Sequence, residues 1–507
     1  MHGVIYHSHT QGEPVEFTPW DSAIGRDGSV STSLLRLILH RKVDRLRALN
    51  QTQKMACGCT RRSMLRTLAG GSLLLPGLIS ELLARETVAD PLAPRPPHFP
   101  GKAKRVIFLY MSGGVSHVDS FDPKPKLLSD HGRKIKEGFI KKPQWKFKPH
   151  GKSGLEVSEL FPNVAECVDD LCVIRSMRGD HGNHFEATLG IHTGSVTFAR
   201  PSIGSWISYG LGTINQNLPS YVVIAPYLPY AGAQVWSSDF LPGCHGGTRV
   251  IPGEEPIPNI QRRLQSLEEQ RMELGLVEAL NRRHQRERRN HDPALAARIK
   301  SFETAFGMQM EAPEAFDVSK ESKATQELYG LEPGAQTGFA WQCLVARRLA
   351  ERGVRFVELI DSGASGNWDS HSDMSDHGNL ARNVDKAIAG LLKDLKSRGM
   401  LEDTLVVWTT EFGRTPFVEK VDNKGREHHA TAFSSWMAGA GVKRGISYGK
   451  SDEYGVRVAE NEVHVHDFHA TILHLLGLDH EKLTFRHAGR DFRLTDVAGN
   501  VVHGILT

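Results

Sequence analysis

Lys104-Arg-Val-Ile-Phe-Leu-Tyr-Met-Ser-Gly-Gly-Val-Ser-His-Val-Asp119 is an apolar run of strand length that breaks into a glycine turn and then into polar residues. A strand buried on both faces reads this way, without the polar alternation of a sheet that faces water. The carboxyl ends of such parallel strands are where open α/β sheets place their sites. Ser112, Gly113, Gly114, His117 and Asp119 therefore stand at the mouth of a candidate site.

The pattern recurs. Leu171-Cys-Val-Ile-Arg-Ser-Met177 predicts a second strand, running into Arg178-Gly-Asp-His-Gly-Asn-His184 at the start of a helix. Free N–H groups at that helix start would set Asp180, His181, Asn183 and His184 against a bound anion. Residues 201–210 predict a short helix, Tyr221-Val-Val-Ile224 a strand, residues 337–352 a helix capped by Gly353, and Val354-Arg-Phe-Val-Glu-Leu-Ile360 another strand. Val384, Ile388, Leu391, Leu392 and Leu395 fall on one stripe of a helix that Gly399 ends. Residues 405–410 give the next strand. Strands alternating with helices predict an α/β fold, a mainly parallel central sheet with helices on both faces. A helical insertion at about residues 260–335 holds two long amphipathic helices, and no internal repeat is found.

The net charge of +4 is small for 507 residues and selects no partner by itself. The basic run Arg282-Arg-His-Gln-Arg-Glu-Arg-Arg289 has no interleaved aromatics for base stacking, so it reads as a solvated helix face and no nucleic-acid partner is expected. Of six cysteines, Cys167 and Cys172 either pair or remain buried thiols. Thr60-Arg-Arg-Ser-Met-Leu-Arg66 precedes an apolar run, residues 68–83, holding Gly70, Gly71, Pro76 and Gly77. That is a signal-peptide pattern with twin arginines, too short and broken for a stable membrane span. A buried helix opening a domain is the alternative. With Met55 as the expected true start, residues 1–54 form a mis-assigned or disordered leader, 55–100 a signal and proline-rich linker, and 101–507 the α/β domain of an exported, periplasmic or extracellular protein.

Twelve of the 25 histidines crowd at residues 181–192, 371–377, 428–429 and 464–480. Imidazole is the commonest metal ligand, and carboxylates beside it suit zinc, manganese or iron. Asp369 and His371 make one candidate pair; Asp373 and His377 compete with it. Glu411 ends a buried strand, where a carboxylate needs a partner: a metal, or a salt bridge to Arg414 or Arg426. His428 follows the next loop. Asp467 reads as a helix-start residue, with His469 and His474 in packing roles.

Phe108-Leu-Tyr-Met-Ser-Gly-Gly-Val-Ser-His-Val-Asp-Ser-Phe-Asp-Pro-Lys-Pro125, Gly366-Asn-Trp-Asp-Ser-His371, Trp408-Thr-Thr-Glu-Phe-Gly-Arg-Thr-Pro416, Gly425-Arg-Glu-His-His429 and Val465-His-Asp-Phe-His-Ala-Thr-Ile-Leu-His-Leu-Leu-Gly477 resemble the domain-of-unknown-function 1501 family, within the alkaline phosphatase and sulfatase superfamily. The resemblance implies an alkaline phosphatase-like fold with a two-metal site and a divalent cofactor (zinc, manganese or calcium). Asp369 and His371 look like the ligands of one centre and His428 like its later histidine. Glu411 stands where the superfamily has an Asp-His pair, and Ser112-Gly113-Gly114 stands where it has Asp-Gly. Residues 180–188 offer no clear serine or cysteine nucleophile, and the modification motif Cys-x-Pro-x-Arg is absent, which disfavours formylglycine-dependent sulfate hydrolysis.

The expectation is a metal-dependent hydrolase of phosphate or sulfate esters, small-molecule or polysaccharide. Its ligands would be Asp369, His371, Glu411 and His428, with metal-bound water as nucleophile and His181, His184 and Ser112 as the catalytic set. The alternative is a catalytically degenerate member acting as a surface binding or structural protein.

Overall fold

The computed structural model describes residues 90–260, 266–287 and 293–507, within a compact unit spanning Val88–Thr507. The leader, the twin-arginine stretch and the apolar run after it lie outside the described residues, as do Arg288 and Arg289.

Nine strands form one sheet: β1 (Arg105–Tyr110), β2 (Leu171–Arg178), β3 (Tyr221–Ile224), β4 (Thr248–Val250), β5 (Phe356–Ile360), β6 (Thr404–Thr409), β7 (Phe433–Ala438), β8 (Ile446–Tyr448) and β9 (Val463–His464). Their order is β8-β2-β7-β6-β1-β5-β3-β4, and β9 also pairs with β2. Every pairing is parallel except those of β7, which runs antiparallel between β6 and β2. The mainly parallel sheet is as expected; the reversed strand is not legible in Phe-Ser-Ser-Trp-Met-Ala, whose side chains are all buried.

β1 shows how the sheet holds two cores. Ile107 and Leu109 face one apolar cluster, while Val106, Phe108 and Tyr110 face the other, the period of two that any strand imposes. The first cluster is covered by α5 (Gly338–Glu351) and α6 (Asp376–Ser397), the second by α1 (His184–Thr193), α2 (Ile203–Leu211) and α7 (Val465–Leu475). The predicted stripe of α6 is fully inside: Val384, Ile388, Leu391, Leu392 and Leu395 are at most 3% exposed. Burying five such side chains transfers roughly 1.5–3 kcal/mol each out of water, before the entropy of ordering them. Gly399, at φ 68°, ends the helical run in a conformation that favours glycine.

The insertion holds α3 (Leu267–Glu287) and α4 (Pro293–Phe316), the two long helices expected, followed by short helices at Val318–Lys320 and Lys323–Tyr329. α4 joins the domain core through Met308, Ala312 and Ala315, and the Arg348 guanidinium donates to the carbonyls of Glu314 (2.7 Å) and Ala315 (3.0 Å) at its carboxyl end. Residues 91–100, expected as an extended linker, open with a turn closed by Ala93 N–H to Asp90 O (3.0 Å), continue as irregular backbone, and lie against the domain rather than free of it. Arg95 N–H donates to Leu211 O (3.0 Å), Phe99 N–H to Gly477 O (3.2 Å), and Leu92 is buried. Cys167 and Cys172 are both free and buried.

Candidate metal centre

The carboxyl ends of β1, β2, β5 and β6 release the turns at Ser112, Asp180, Asp361 and Thr410, so one sheet edge collects them. Close backbone approach makes this possible. A Cβ on Gly113 (φ 112°) would stand 2.7 Å from the backbone nitrogens of Trp368 and Asp369. A Cβ on Gly425 would collide with the carbonyl oxygen of His371. Only glycine lets these segments meet.

At the meeting point, His184, Asp369, His371 and His428 each bring one donor atom, all within 4.8 Å of one another. Asp369 Oδ1 lies 3.2 Å from His184 Nε2, 2.9 Å from His371 Nε2 and 3.3 Å from His428 Nε2. The two exposed-side rings face each other, Nε2 to Nε2, at 2.9 Å. His184 is buried, whereas the side chains of His371 and His428 are 37% and 25% exposed, so the cluster opens to solvent on one side.

The other nitrogen of each ring fixes its tautomer. His184 Nδ1 is 2.7 Å from Glu411 Oε1, His371 Nδ1 is 2.7 Å from Glu427 Oε2, and His428 Nδ1 is 2.8 Å from the carbonyl of Gly182. All three partners only accept, so all three Nδ1 atoms carry the proton. The three Nε2 atoms then gather round one carboxylate oxygen, where positive charge is favoured: burial opposes protonation of His184, but Asp369 and Glu411 raise its pKa above the ordinary value, and a metal ion at the centre would take the place of that proton. His184 Nε2 is buried and faces Asp369 Oδ1 at 3.2 Å, the position of a ligand atom beside a shared carboxylate. A histidine braced through its far nitrogen by a carboxylate or carbonyl is the arrangement metal sites use to orient their ligands. Donor atoms this close are bridgeable by an ion with bonds of about 2.0–2.2 Å. The residues fit a divalent metal.

The expected site residues divide. Asp369, His371 and His428 converge, and His184 is with them. Glu411 stands one bond farther out: besides His184 it accepts from Gly113 N–H (2.9 Å), Tyr110 OH (3.0 Å) and Thr410 OH (3.0 Å). Burial opposes its charge, but these donors, His184 first, hold its carboxyl below the ordinary range. Arg414 pairs with Asp369 (2.7 Å) and Arg426 with Asp119 (2.7 Å), so neither is the partner of Glu411. Burial likewise opposes the charge of Asp369, yet the imidazoles of His184 and His428 and the Arg414 guanidinium keep its carboxyl far below the usual range. Ser112 is fully buried and donates to Gly363 O (3.1 Å). The His181 side chain is 43% exposed, its Nδ1 accepting from Asn183 N–H (3.2 Å).

The competing pair separates. Asp373 Oδ1 accepts from Ser375 N–H (2.9 Å), while buried His377 is held by Ser370 OH (2.9 Å) and Ser116 N–H (3.2 Å). Asp180, His464 and His466 also approach within 4.8 Å. There, however, His464 Nδ1 accepts from His466 N–H (3.2 Å), which leaves the proton on Nε2 for Asp180 (2.8 Å). That group is a hydrogen-bonded cap of α7, with Asp467 accepting from His464 N–H (3.0 Å) in the third helical position rather than at the cap.

Sequence reasoning assigned nothing to Tyr230, Phe412 or Glu427. Tyr230 stacks on His184 with centroids 4.1 Å apart and its hydroxyl accepts from Asn367 (3.0 Å); Phe412 packs on His184 and His428. Glu427 was visible inside Gly425-Arg-Glu-His-His429, whereas no local pattern marks Tyr230.

An α/β sheet carrying three braced imidazoles and a carboxylate at its strand ends defines a candidate metalloprotein. Over residues 103–506 the chain belongs to the family described as "Protein of unknown function (DUF1501)". No curated protein matches the sequence. Among solved structures it is similar to the lipoteichoic acid synthase LtaP of Listeria monocytogenes, at 9% identity over 80% of this chain and 79% of that one, TM-score 0.33. It is similar to a sulfatase from Pseudoalteromonas sp. at 12% identity over 76% and 69%, TM-score 0.33. For the alkaline phosphatase of the Antarctic bacterium TAB5 the identity is 12% over 74% and 98%, TM-score 0.28.

Proposed function

We propose that this protein is an exported, metal-dependent hydrolase of phosphate or sulfate esters. The observation that carries the metal is the convergence of three Nδ1-protonated imidazoles, His184, His371 and His428, on Asp369 Oδ1. A divalent ion held there supplies Lewis acidity toward an ester oxygen.

The protein does the rest. Glu411, Glu427 and the Gly182 carbonyl hold the Nδ1 protons and so keep the Nε2 lone pairs inward. The Tyr230 and Phe412 rings wall His184 off from water, which strengthens the electrostatics of that side. The solvent-facing edge at His371 is where an anionic ester enters. Exposed His181, in the turn that also presents Gly182, serves as acid, base or anion binder. Export rests on the twin-arginine pattern; among the described residues no helix is long and apolar enough to cross a membrane.

Elemental analysis of protein purified without chelator, with a screen of aryl phosphate and sulfate esters, tests this. Bound metal and turnover that both vanish in Asp369→Ala are expected. Metal-free protein, or turnover indifferent to that substitution, overturns it. The buried hydroxyl of Ser112, bonded to Gly363 O, favours a second reading, a degenerate binding protein that holds metal without turnover.

A further inference from the structure

We infer that Arg414 is the fixed second cation of this site, so that the centre takes one divalent ion and not two. This rests on the metal reading above. The Arg414 side chain is fully buried, and its head lies among oxygens in the manner of an ion. Nη2 donates to Asp369 Oδ1 (2.7 Å) and to Gly113 O, Nε to Gly114 O (2.9 Å), and Nη1 to Arg426 O (3.3 Å).

The Asp369 oxygen that meets the three imidazoles is the one that Arg414 also binds. Asp369 is thus shared between a cation the protein carries and one it acquires, as a bridging carboxylate is shared between two metals. A planar guanidinium is suited to this, because it presents its donors in a rigid fork and stays charged when buried.

Neither Glu411 nor Asp361, the carboxylates on either side of Asp369 at the sheet edge, offers a second ion a free oxygen. Both oxygens of Glu411 are taken by His184, Gly113 N–H, Tyr110 and Thr410. Asp361, at the end of β5, accepts from Ser112 N–H (3.0 Å) and Ser362 N–H (2.7 Å) on one oxygen and from Trp368 Nε1 (2.5 Å) on the other. An additional divalent ion would have to break these bonds and sit against a buried positive charge. Leaving the carboxylates without Arg414 is also costly, since an unpaired buried charge loses its hydration without compensation.

Metal content of the full chain, stripped and then dialysed against zinc with millimolar magnesium, is measured per folded chain. One ion is expected in the wild type and in Arg414→Lys, which keeps the charge. Arg414→Ala exposes Asp369 and the Gly113 and Gly114 carbonyls to a common cavity, and it is expected to rise from one ion to two. Two ions in the wild type or in Arg414→Lys overturn the inference, as does a folded Arg414→Ala that stays at one ion. Should Arg414→Ala not fold, the wild-type and lysine counts decide. A wild type that binds no metal overturns the metal reading itself.

Discussion

Replacing Glu411 by glutamine tests whether this carboxylate braces a ligand. The residue accepts from four donors, one of them the His184 N–H at 2.7 Å, and has no proton to give. Glutamine can keep one oxygen for His184, but its amide nitrogen must then face Tyr110 and Thr410, whose hydroxyls have to turn. A charge-assisted bond becomes a neutral one of about half the strength. Losses of this kind around metal ligands cost about 10–100-fold in affinity, or about 1.4–2.7 kcal/mol. Glu427, which holds His371 in the same way, is 57% exposed, so Glu427→Gln removes a partner that water replaces and costs at most about 1 kcal/mol. Competition against a chromophoric chelator measures both. Unchanged affinity in Glu411→Gln, or an equal loss in the two variants, refutes the assignment of Glu411 as the buried brace.

Gly425→Ala pushes a methyl into the His371 carbonyl, so it is expected to displace that ligand, weakening metal binding and lowering Tm; equilibrium dialysis and calorimetry check both. Arg426→Met strips Asp119 of its partner in a pair whose side chains are both fully buried, and a loss of about 3–5 kcal/mol in a denaturant titration is expected. Buried histidines set the acid limit. Burial lowers His117 and His245 to about 4, and His377 and His469 to about 3. Below the ordinary histidine range the unfolded chain takes up protons that the folded one refuses, so stability falls as pH drops from about 6.5 toward 3–4 and is flat above. At pH 5 each site costs on the order of 2 kcal/mol, and His469→Gln should flatten the slope of stability against pH in that window; an unchanged slope would count against the assignment.

Much of the fold was legible because burial on both faces leaves a plain mark. The apolar run from Lys104 and residues 405–410 read as strands, observed at 105–110 and 404–409, since parallel sheets need apolar side chains on each side, and the stripe of α6 is a helical period that no strand shares. Direction leaves no such mark, so β7 could not be recognised as antiparallel from six buried residues. In the site, residue type was readable and role was not. A carboxylate at the end of a buried strand has the same sequence whether it binds an ion or braces a histidine, and Glu411 is distinguished only by the 2.7 Å contact to a ring 227 positions away. Arg414 is similar: in the sequence it is a partner for some acid, and the fold selects Asp369. Tyr230 was invisible because its contact with His184 depends on where a loop lands.

The three imidazoles come from turns after β2, after β5 and in the ribbon beyond β6. Apart from Asp369 and His371, no two ligands are near neighbours in the chain, so a metal ion finds little to hold until distant strands have paired. Loop closure over such lengths must be paid before the ion rewards it. On the proposed reading, metal capture would therefore come late in folding, a seal on a finished sheet rather than a template for it. An ion held there would stabilise the whole domain by mass action, and a chelator should then lower the cooperative transition without creating a separate one.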